Sequence, residues 1–90
     1  GKIITSLAQK TVKERLAEIL LILRATFGTK DDYLDISLTR EEIANMVGTA
    51  TESAIRLISE LKEEGLVETK GRKIKILDAA KLRQIAAVYD

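Results

Sequence analysis

Two short amphipathic helical patterns, separated by a single glycine, lie within residues 39–61 and constrain the fold more than any other part of the chain. The first begins with Thr39 and Glu42, a Ser/Thr-x-x-Glu spacing in which hydroxyl and carboxylate cap a helix N-terminus reciprocally. Gly48 can adopt the positive φ that a sharp turn between helices requires. The second helix is expected over residues 50–64, before Gly65. This stretch therefore predicts two helices joined by a tight turn. The residues expected to face inward from the first helix are Ile43, Ala44, Met46 and Val47.

An apolar stripe upstream of this unit predicts a longer helix over about residues 5–27. Its members recur at helical spacing and are Val12, Leu16, Ile19, Leu20, Leu23 and Phe27, with Leu21 and Ile22 widening the stripe. Gly28 is expected to end this helix as a left-handed cap. A polar loop over residues 29–35 and a short strand over residues 36–38 are expected to follow.

The last third of the chain predicts a hairpin and a final helix. Residues 66–69 and 73–77 are strand candidates around Lys70-Gly71-Arg72. Asp78 is expected to cap the final helix, whose apolar face comprises Leu82, Ile85, Ala86 and Tyr89. The predicted order is helix, strand, helix, helix, hairpin, helix. This order is that of a winged helix-turn-helix, a mainly α fold with a small β wing.

Composition excludes several classes of function. The 90 residues suffice for one small domain, and they include neither cysteine nor histidine, which excludes disulfides, zinc fingers, thiol nucleophiles and imidazole catalysis. No convergent nucleophile or Gly-rich phosphate loop is present, so the chain is not expected to be an enzyme. The longest apolar run, residues 19–23, is too short to span a bilayer, and no signal peptide is visible. We therefore expect a cytoplasmic protein without membrane contact.

The outward face of the second predicted helix carries charged side chains near the helix N-terminus. At 100° per residue, its apolar side comprises Ala54, Leu57, Ile58 and Leu61, and its opposite side comprises Glu52, Arg56, Ser59 and Glu63. In a helix-turn-helix the second helix enters the DNA major groove, where arginine can bind guanine O6 and N7 and glutamate can accept from cytosine N4. We therefore predict base contacts by Glu52 and Arg56. Thr51 and Ser53 can reach a phosphate or a thymine methyl from the helix N-terminus.

Two local interactions offer an alternative interpretation of the same residues. Glu52 and Arg56 are spaced i,i+4 in the favourable order, so they can form a surface ion pair worth a few tenths of a kcal/mol. Thr49 and Glu52 also match a capping box, which would turn the Glu52 carboxylate back toward the backbone. Spacing alone does not decide between these interactions and base contacts.

The hairpin carries a run of positive charge, namely Lys70, Arg72, Lys73 and Lys75. In strand geometry Lys73 and Lys75 share one face, opposite Ile74 and Ile76. The run is either a solvated surface or a phosphate-binding one in which Lys70 or Arg72 contacts DNA. The chain's net charge of only +1 also permits an alternative function, a winged helix used as a protein–protein interaction module without sequence-specific DNA binding.

These motifs resemble the C-terminal DNA-binding domain of the cyclic-AMP receptor protein and fumarate–nitrate regulator (Crp/Fnr) superfamily. The resemblance rests on Thr39-Arg40-x-Glu42-Ile43-Ala44-x-x-Val47-Gly48, followed by Thr51-Glu52-Ser53-x-x-Arg56. Upstream, residues 12–17 resemble the start of the first helix of that domain. Downstream, Gly65-Leu66, Gly71 and Ile74-x-Ile76 fall where its wing lies.

The resemblance implies a role for each matching residue. Bases of a G·C-containing half-site would be contacted by Glu52 and Arg56, with Thr51 beside them where the cyclic-AMP receptor branch often has arginine. Ala50 replaces a Ser or Thr that often caps the helix and touches phosphate, a role that Thr49 would take over. Ile55 replaces a serine that reads a base in the fumarate–nitrate branch. The implied phosphate-binding residues are Thr39, Arg40, Thr49, Ser53 and Lys70, to which the charge of the hairpin adds Arg72.

The resemblance also implies an organisation beyond this domain. Residues 1–11 would be the end of a dimerisation helix and a hinge, and residues 12–90 the winged helix domain. A jelly-roll sensor domain, often binding a cyclic nucleotide or another small effector, would precede them, so no cofactor is expected in this chain. The full-length protein would be a homodimer on a two-fold symmetric operator in double-stranded DNA. In the cyclic-AMP receptor protein the surface corresponding to residues 28–35 touches RNA polymerase, and an ordinary surface loop is the alternative interpretation of these residues.

Overall fold

Four helices and a four-stranded antiparallel sheet make up residues 10–87, the part of the chain that the computed structural model describes. In chain order they are α1 (Val12–Phe27), β1 (Thr29–Lys30), β2 (Tyr33–Leu34), α2 (Arg40–Val47), α3 (Thr51–Glu63), β3 (Val67–Lys70), β4 (Lys73–Ile76) and α4 (Ala79–Ala86). The strand order in the sheet is β1-β2-β4-β3. Helices α2 and α3 form the helix-turn-helix, and β3 and β4 form the wing. The predicted winged helix-turn-helix is confirmed.

Helix α1 begins later than its apolar stripe predicts. The Thr11 hydroxyl accepts from the Glu14 backbone N–H at 3.2 Å, and the Glu14 carboxylate accepts from the Thr11 N–H at 2.7 Å. The Thr11 backbone is extended, with φ −68° and ψ 164°, so Thr11 is the N-cap and the helix begins after it, at Val12. The predicted helical start is therefore wrong for residues 10 and 11. Residues 5–9 of that prediction, and Tyr89 of the last helix, lie outside the described residues.

A second hairpin occupies the region predicted as a polar loop. Strands β1 and β2 pair across Asp31 and Asp32, whose positive φ angles of 54° and 71° are those of a two-residue type I′ turn. Tyr33 then pairs with Lys75, which joins this hairpin to the wing. Residues 36–38 do not form the predicted strand. The strand in this region is β2, which ends at Leu34. Gly28 has φ 71° and ψ −162°, a conformation nearly restricted to glycine but different from the predicted left-handed cap.

The core lies between α1, α4, the inner faces of α2 and α3, and the inner face of the wing. Its largest fully buried side chains are Leu16, Leu20, Ile43, Leu61 and Leu82. Met46, predicted to face inward, is 46% exposed. Helix α2 is short and packs on the core through Ile43, Ala44 and Val47. Met46 is rotated 100° from Val47 about the helix axis, so its side chain lies outside the buried face. Ile22 and Phe27 are also about half exposed, so the buried stripe of α1 is narrower than predicted.

The guanidinium of Arg15 fixes the helix-turn-helix to α1. Its Nε donates to the Val47 carbonyl at 2.9 Å, and its Nη1 donates to the Lys10 carbonyl at 2.7 Å. Val47 is the last residue of α2, where backbone carbonyls lack helical partners. The charged donor therefore satisfies the end of α2 next to the turn that leads into α3.

Candidate nucleic-acid interface

The turn between α2 and α3 sets the direction of the second helix. Gly48 has φ 84° and ψ 44°, the left-handed conformation predicted for it. The Ala44 carbonyl accepts from the N–H groups of Gly48 at 2.8 Å and of Thr49 at 2.9 Å. These bonds end α2, and α3 starts three residues after Gly48 at Thr51. The short connection keeps α3 close to α2, as in a helix-turn-helix.

Helix α3 has one buried face and one polar face, as predicted. The buried side chains are Ala54, Leu57, Ile58 and Leu61. Glu52 and Arg56 are exposed, and the Arg56 side chain retains 63% of its accessible surface. Side chains on this exposed face are free to approach a ligand without any change in the core.

The N-terminus of α3 carries no side-chain cap. Ala50 is the N-cap residue, in extended conformation, and its carbonyl accepts from Ala54 N–H at 3.1 Å. Because Ala50 and not Thr49 caps the helix, the alternative capping box between Thr49 and Glu52 is wrong. The side chains of Thr49, Thr51 and Ser53 are half-buried around this end. The uncapped N–H groups of the first turn give this end a positive potential that suits a phosphate.

Arg56 forms its ion pair with Glu60, not with Glu52. Arg56 Nη1 donates to Glu60 Oε2 at 2.9 Å. Within residues 10–87 no salt bridge involves Glu52, so its carboxylate stays available for other donors. Lys13 of α1 lies beside the same group, with its Nζ 3.8 Å from Glu60 Oε1 and 3.1 Å from Glu64 Oε1. The alternative ion pair between Glu52 and Arg56 is therefore wrong.

Positive charge gathers at the wing tip. Lys70 stands directly opposite Lys73 in the register of β3 and β4, with Gly71 and Arg72 forming the turn between them. All three cationic residues are exposed, and none is in a salt bridge within the part of the chain that the structure describes. Like charges directly opposite each other destabilise a hairpin. An anion at the tip would relieve this repulsion.

Lys75 does not belong to the wing-tip cluster. Its Nζ lies 3.5 Å from Glu68 Oε2 and 4.9 Å from the centroid of the Tyr33 ring. The Tyr33 hydroxyl donates to the same Glu68 oxygen at 2.8 Å, and this bond raises the pKa of Tyr33. These contacts hold β2 against the wing and engage Lys75 within the sheet.

Arg40 contacts the wing turn from the start of α2. Its Nη2 donates to the Gly71 carbonyl at 3.1 Å, whereas its Nη1 is buried without a hydrogen-bond partner. Partial burial lowers the pKa of Arg40. Thr39 precedes it, with its hydroxyl accepting from Glu42 N–H and its own N–H donating to the Glu42 carboxylate at 2.8 Å. The fold thus brings Arg40 to the turn that carries Lys70 and Arg72, while the Thr39 N–H is already used in the cap.

Comparison with known proteins identifies the fold at the level of a family. The family model of the Crp-like helix-turn-helix domain matches residues 14–85. This chain belongs to that family. The match includes the turn at Gly48, all of α3 and the wing, and so confirms the resemblance to Crp/Fnr regulators.

Named relatives of this Crp-like domain are transcription regulators. The transcriptional activator protein FnrA of Stutzerimonas stutzeri is 34% identical over 83 residues, covering 89% of this chain and 34% of its own length. The fumarate and nitrate reduction regulatory protein of Vibrio cholerae is 31% identical over 90 residues, covering 97% of this chain and 36% of its own. The chain therefore spans about a third of the length of these curated relatives.

Solved structures give the same result. The CO-dependent transcription factor CooA of Carboxydothermus hydrogenoformans superposes with a TM-score of 0.78 at 31% identity, covering 94% of this chain and 41% of that one. The CRP/FNR-family regulator TTHA1359 of Thermus thermophilus superposes with a TM-score of 0.74 at 28% identity, covering 94% and 45%.

The Crp-like domain offers no metal site or membrane span within residues 10–87. No cluster of three or more Asp, Glu, His or Cys side chains in that range could hold a metal ion. None of the helices there is both long and apolar enough to cross a bilayer.

The predicted site residues do not include Glu60, which contacts Arg56, or Lys13, which contacts Glu60. Glu60 lies four positions after Arg56 on the same helix, so a contact between the two side chains could be predicted from the sequence. Lys13 comes from another helix, and no local pattern indicates its approach.

Two carboxyl groups of the Crp-like domain should make its free energy of unfolding depend on pH in the acid range. Hydrogen bonds from Thr39 lower the pKa of Glu42, and the hydrogen bond from Tyr33 lowers the pKa of Glu68. A carboxyl with a lowered folded-state pKa stabilises the fold above its ordinary pKa, and this contribution is lost as pH falls through the folded-state value. We expect the free energy of unfolding, measured with urea, to decrease as pH falls from about 5 to about 3.

The matched comparison is the double variant Glu42→Gln and Glu68→Gln. Its two amides do not titrate, so its stability should fall less steeply over the same pH range. An identical slope in the double variant and the unaltered chain would show that other groups carry the acid dependence.

Proposed function

We propose that this chain is the sequence-specific DNA-binding output domain of a bacterial transcription regulator, with α3 lying in the major groove. The observation that carries the proposal is the exposed pair Glu52 and Arg56 on the second helix of a Crp-like helix-turn-helix, opposite a fully buried face. A helix placed in this way presents side chains to base edges without disturbing its own packing.

Arg56 and Glu52 each have a chemistry that matches one base edge. Arg56 donates to O6 and N7 of a guanine, and Glu52 accepts from the N4 amino group of a cytosine. Because Glu52 lies outside the ion pairs of residues 10–87, its carboxylate can meet that amino group directly. Thr51 lies at the first position of the helix, beside Glu52, and supplies a hydroxyl or methyl contact to a neighbouring base.

Phosphate contacts flank the base contacts on two sides. At the N-terminus of α3, the hydroxyls of Thr49 and Ser53 lie around the uncapped N–H groups. At the wing, Lys70 and Arg72 are exposed cations that take part in none of the salt bridges of residues 10–87. Thr39 and Arg40 are the further proposed phosphate contacts, and Arg40 lies beside the wing turn, where its Nη2 donates to the Gly71 carbonyl. These local cations supply the attraction to DNA that a net charge of +1 does not.

The full-length regulator is proposed to act in the cytoplasm as a homodimer on a two-fold symmetric operator. The two copies of α3 would then lie about 34 Å apart, one turn of DNA. A sensor domain preceding this one would bind the effector, and residues 1–11 would form the hinge and the end of the dimerisation helix. The β1–β2 hairpin is the surface proposed for RNA polymerase. No catalytic step is proposed for the chain.

The test is selection of duplexes from a library with a random central segment, using the 90-residue chain at low salt. DNA binding predicts an enriched motif containing a G·C pair, and an affinity for the enriched duplex that falls steeply with salt concentration. A winged helix that serves only as a protein-interaction module predicts no enriched motif and no such salt dependence.

A further inference from the structure

Helix energetics alone would favour a partner for Arg56 other than Glu60. A pair spaced i,i+4 stabilises a helix more when the acid precedes the base, and here Arg56 precedes Glu60. Glu60 also lies toward the C-terminal end of α3, where the helix dipole disfavours negative charge. The opposite arrangement, Glu52 before Arg56, is available in the same helix but does not form.

The Glu60 carboxylate is itself held from outside the helix. Lys13 Nζ lies 3.8 Å from Glu60 Oε1, on the oxygen that does not bind Arg56. The same ammonium donates to Glu64 at 3.1 Å, so it is anchored on both carboxylates. One oxygen of Glu60 thus faces α1 and the other faces the exposed guanidinium.

This geometry leaves the guanidinium of Arg56 oriented but largely free. A guanidinium has five N–H donors, and the bond from Nη1 to Glu60 uses one of them. The remaining donors include the pair needed to bind guanine O6 and N7. Holding a long exposed side chain in place before binding reduces the entropy that binding must remove.

We propose that Glu60 is a positioning residue that orients Arg56 for its base contact, with Lys13 holding Glu60 from α1. The inference rests on the proposed function, because it assigns the base contact to Arg56. Glu60 touches no base. Its negative charge lowers affinity for all DNA alike, whereas its bond to Arg56 raises the preference for guanine over other bases.

The test compares Glu60→Ala with Glu64→Ala and Glu60→Gln in the 90-residue chain. Glu64 is the matched control, because it contacts the same Lys13 and carries the same charge but does not touch Arg56. The probes are the enriched duplex from the selection above and the same duplex with its G·C pair changed to A·T. Fluorescence anisotropy at fixed salt gives the two dissociation constants. The ratio compared is the constant for the A·T duplex divided by that for the enriched duplex.

We expect Glu60→Ala to reduce this ratio by about three- to tenfold while tightening binding to the A·T duplex. Glu64→Ala should tighten binding to both duplexes and leave the ratio unchanged. Glu60→Gln should recover most of the ratio, since its amide oxygen can accept the same hydrogen bond.

Two outcomes would overturn the positioning role while leaving the proposed function in place. One is an unchanged ratio in Glu60→Ala, and the other is a loss in Glu60→Gln as large as in Glu60→Ala, which would assign the effect to charge alone. Absence of any preferred duplex for the unaltered chain would overturn the proposed function and the positioning role together. Circular dichroism of each variant verifies that its helix content is unchanged.

Discussion

Replacing Arg56 with alanine is expected to abolish the preference of the chain for its selected duplex at the guanine position. A good bidentate contact between arginine and guanine contributes about 1–3 kcal/mol of discrimination, which corresponds to about a 5- to 150-fold ratio of dissociation constants. Arg56 is the only arginine or lysine on the exposed stripe at the N-terminal half of α3. No neighbouring cation on that stripe can therefore replace it.

The measurement is fluorescence anisotropy of the chain on the selected duplex and on its A·T-substituted form, at one salt concentration. Lys62→Ala is the control, because it removes one exposed positive charge from the same helix at a position on a different face. It should weaken binding to both duplexes equally, since a charge away from the base contacts adds only to the sequence-independent attraction to DNA. A preference that survives in Arg56→Ala would contradict the assignment of the base contact.

Capping patterns made the starts of two of the four described helices predictable. Thr39 with Glu42 gave the start of α2, and Asp78 gave the start of α4, where its carboxylate accepts from Lys81 N–H. Thr11 and Glu14 have the same spacing, but the apolar stripe of α1 predicted a helix that begins before them, at about residue 5. Periodicity shows which residues can face a core, whereas the cap determines where the helix begins.

The β1–β2 hairpin could not be predicted from local signals. Each strand has two residues, too few for alternation of apolar and polar side chains to be visible. Its turn consists of Asp31 and Asp32 rather than the more typical Asn-Gly or Asp-Gly. What fixes β2 is its pairing with the wing through Tyr33 and Lys75, a contact between distant parts of the chain.

The partner of Arg56 shows a similar limit at the candidate site. Glu52 and Glu60 both lie four positions away, and helix energetics favours Glu52. The structure pairs Arg56 with Glu60, which Lys13 approaches from α1. Exposure of Glu52 and Arg56 followed from helix geometry alone, but the choice of ion pair depends on how α1 packs against α3.

Replacing Leu61 with alanine is expected to have the largest effect on stability. Leu61 is 0% exposed in the core, and its carbonyl accepts from Leu66 N–H at 2.9 Å where α3 leads into the wing. Removing a buried leucine side chain costs about 2–5 kcal/mol, because it loses apolar burial and leaves a cavity. A domain of this size is stable by about 5–15 kcal/mol, so the loss removes a large share of its free energy of unfolding. Urea unfolding followed by circular dichroism gives the free energy.

Leu77→Ala is the matched control, since it makes the same chemical change at a side chain that is 51% exposed. Its backbone N–H still donates to the Leu66 carbonyl at 2.8 Å, so the connection between wing and core is kept. The control should lose about 0.5 kcal/mol or less. Equal losses in the two variants would contradict the placement of Leu61 at the junction of α3 and the wing. A large loss only in Leu61→Ala, with weaker binding to every duplex alike, would show that burial of the inner face of α3 is what holds its outer face in position.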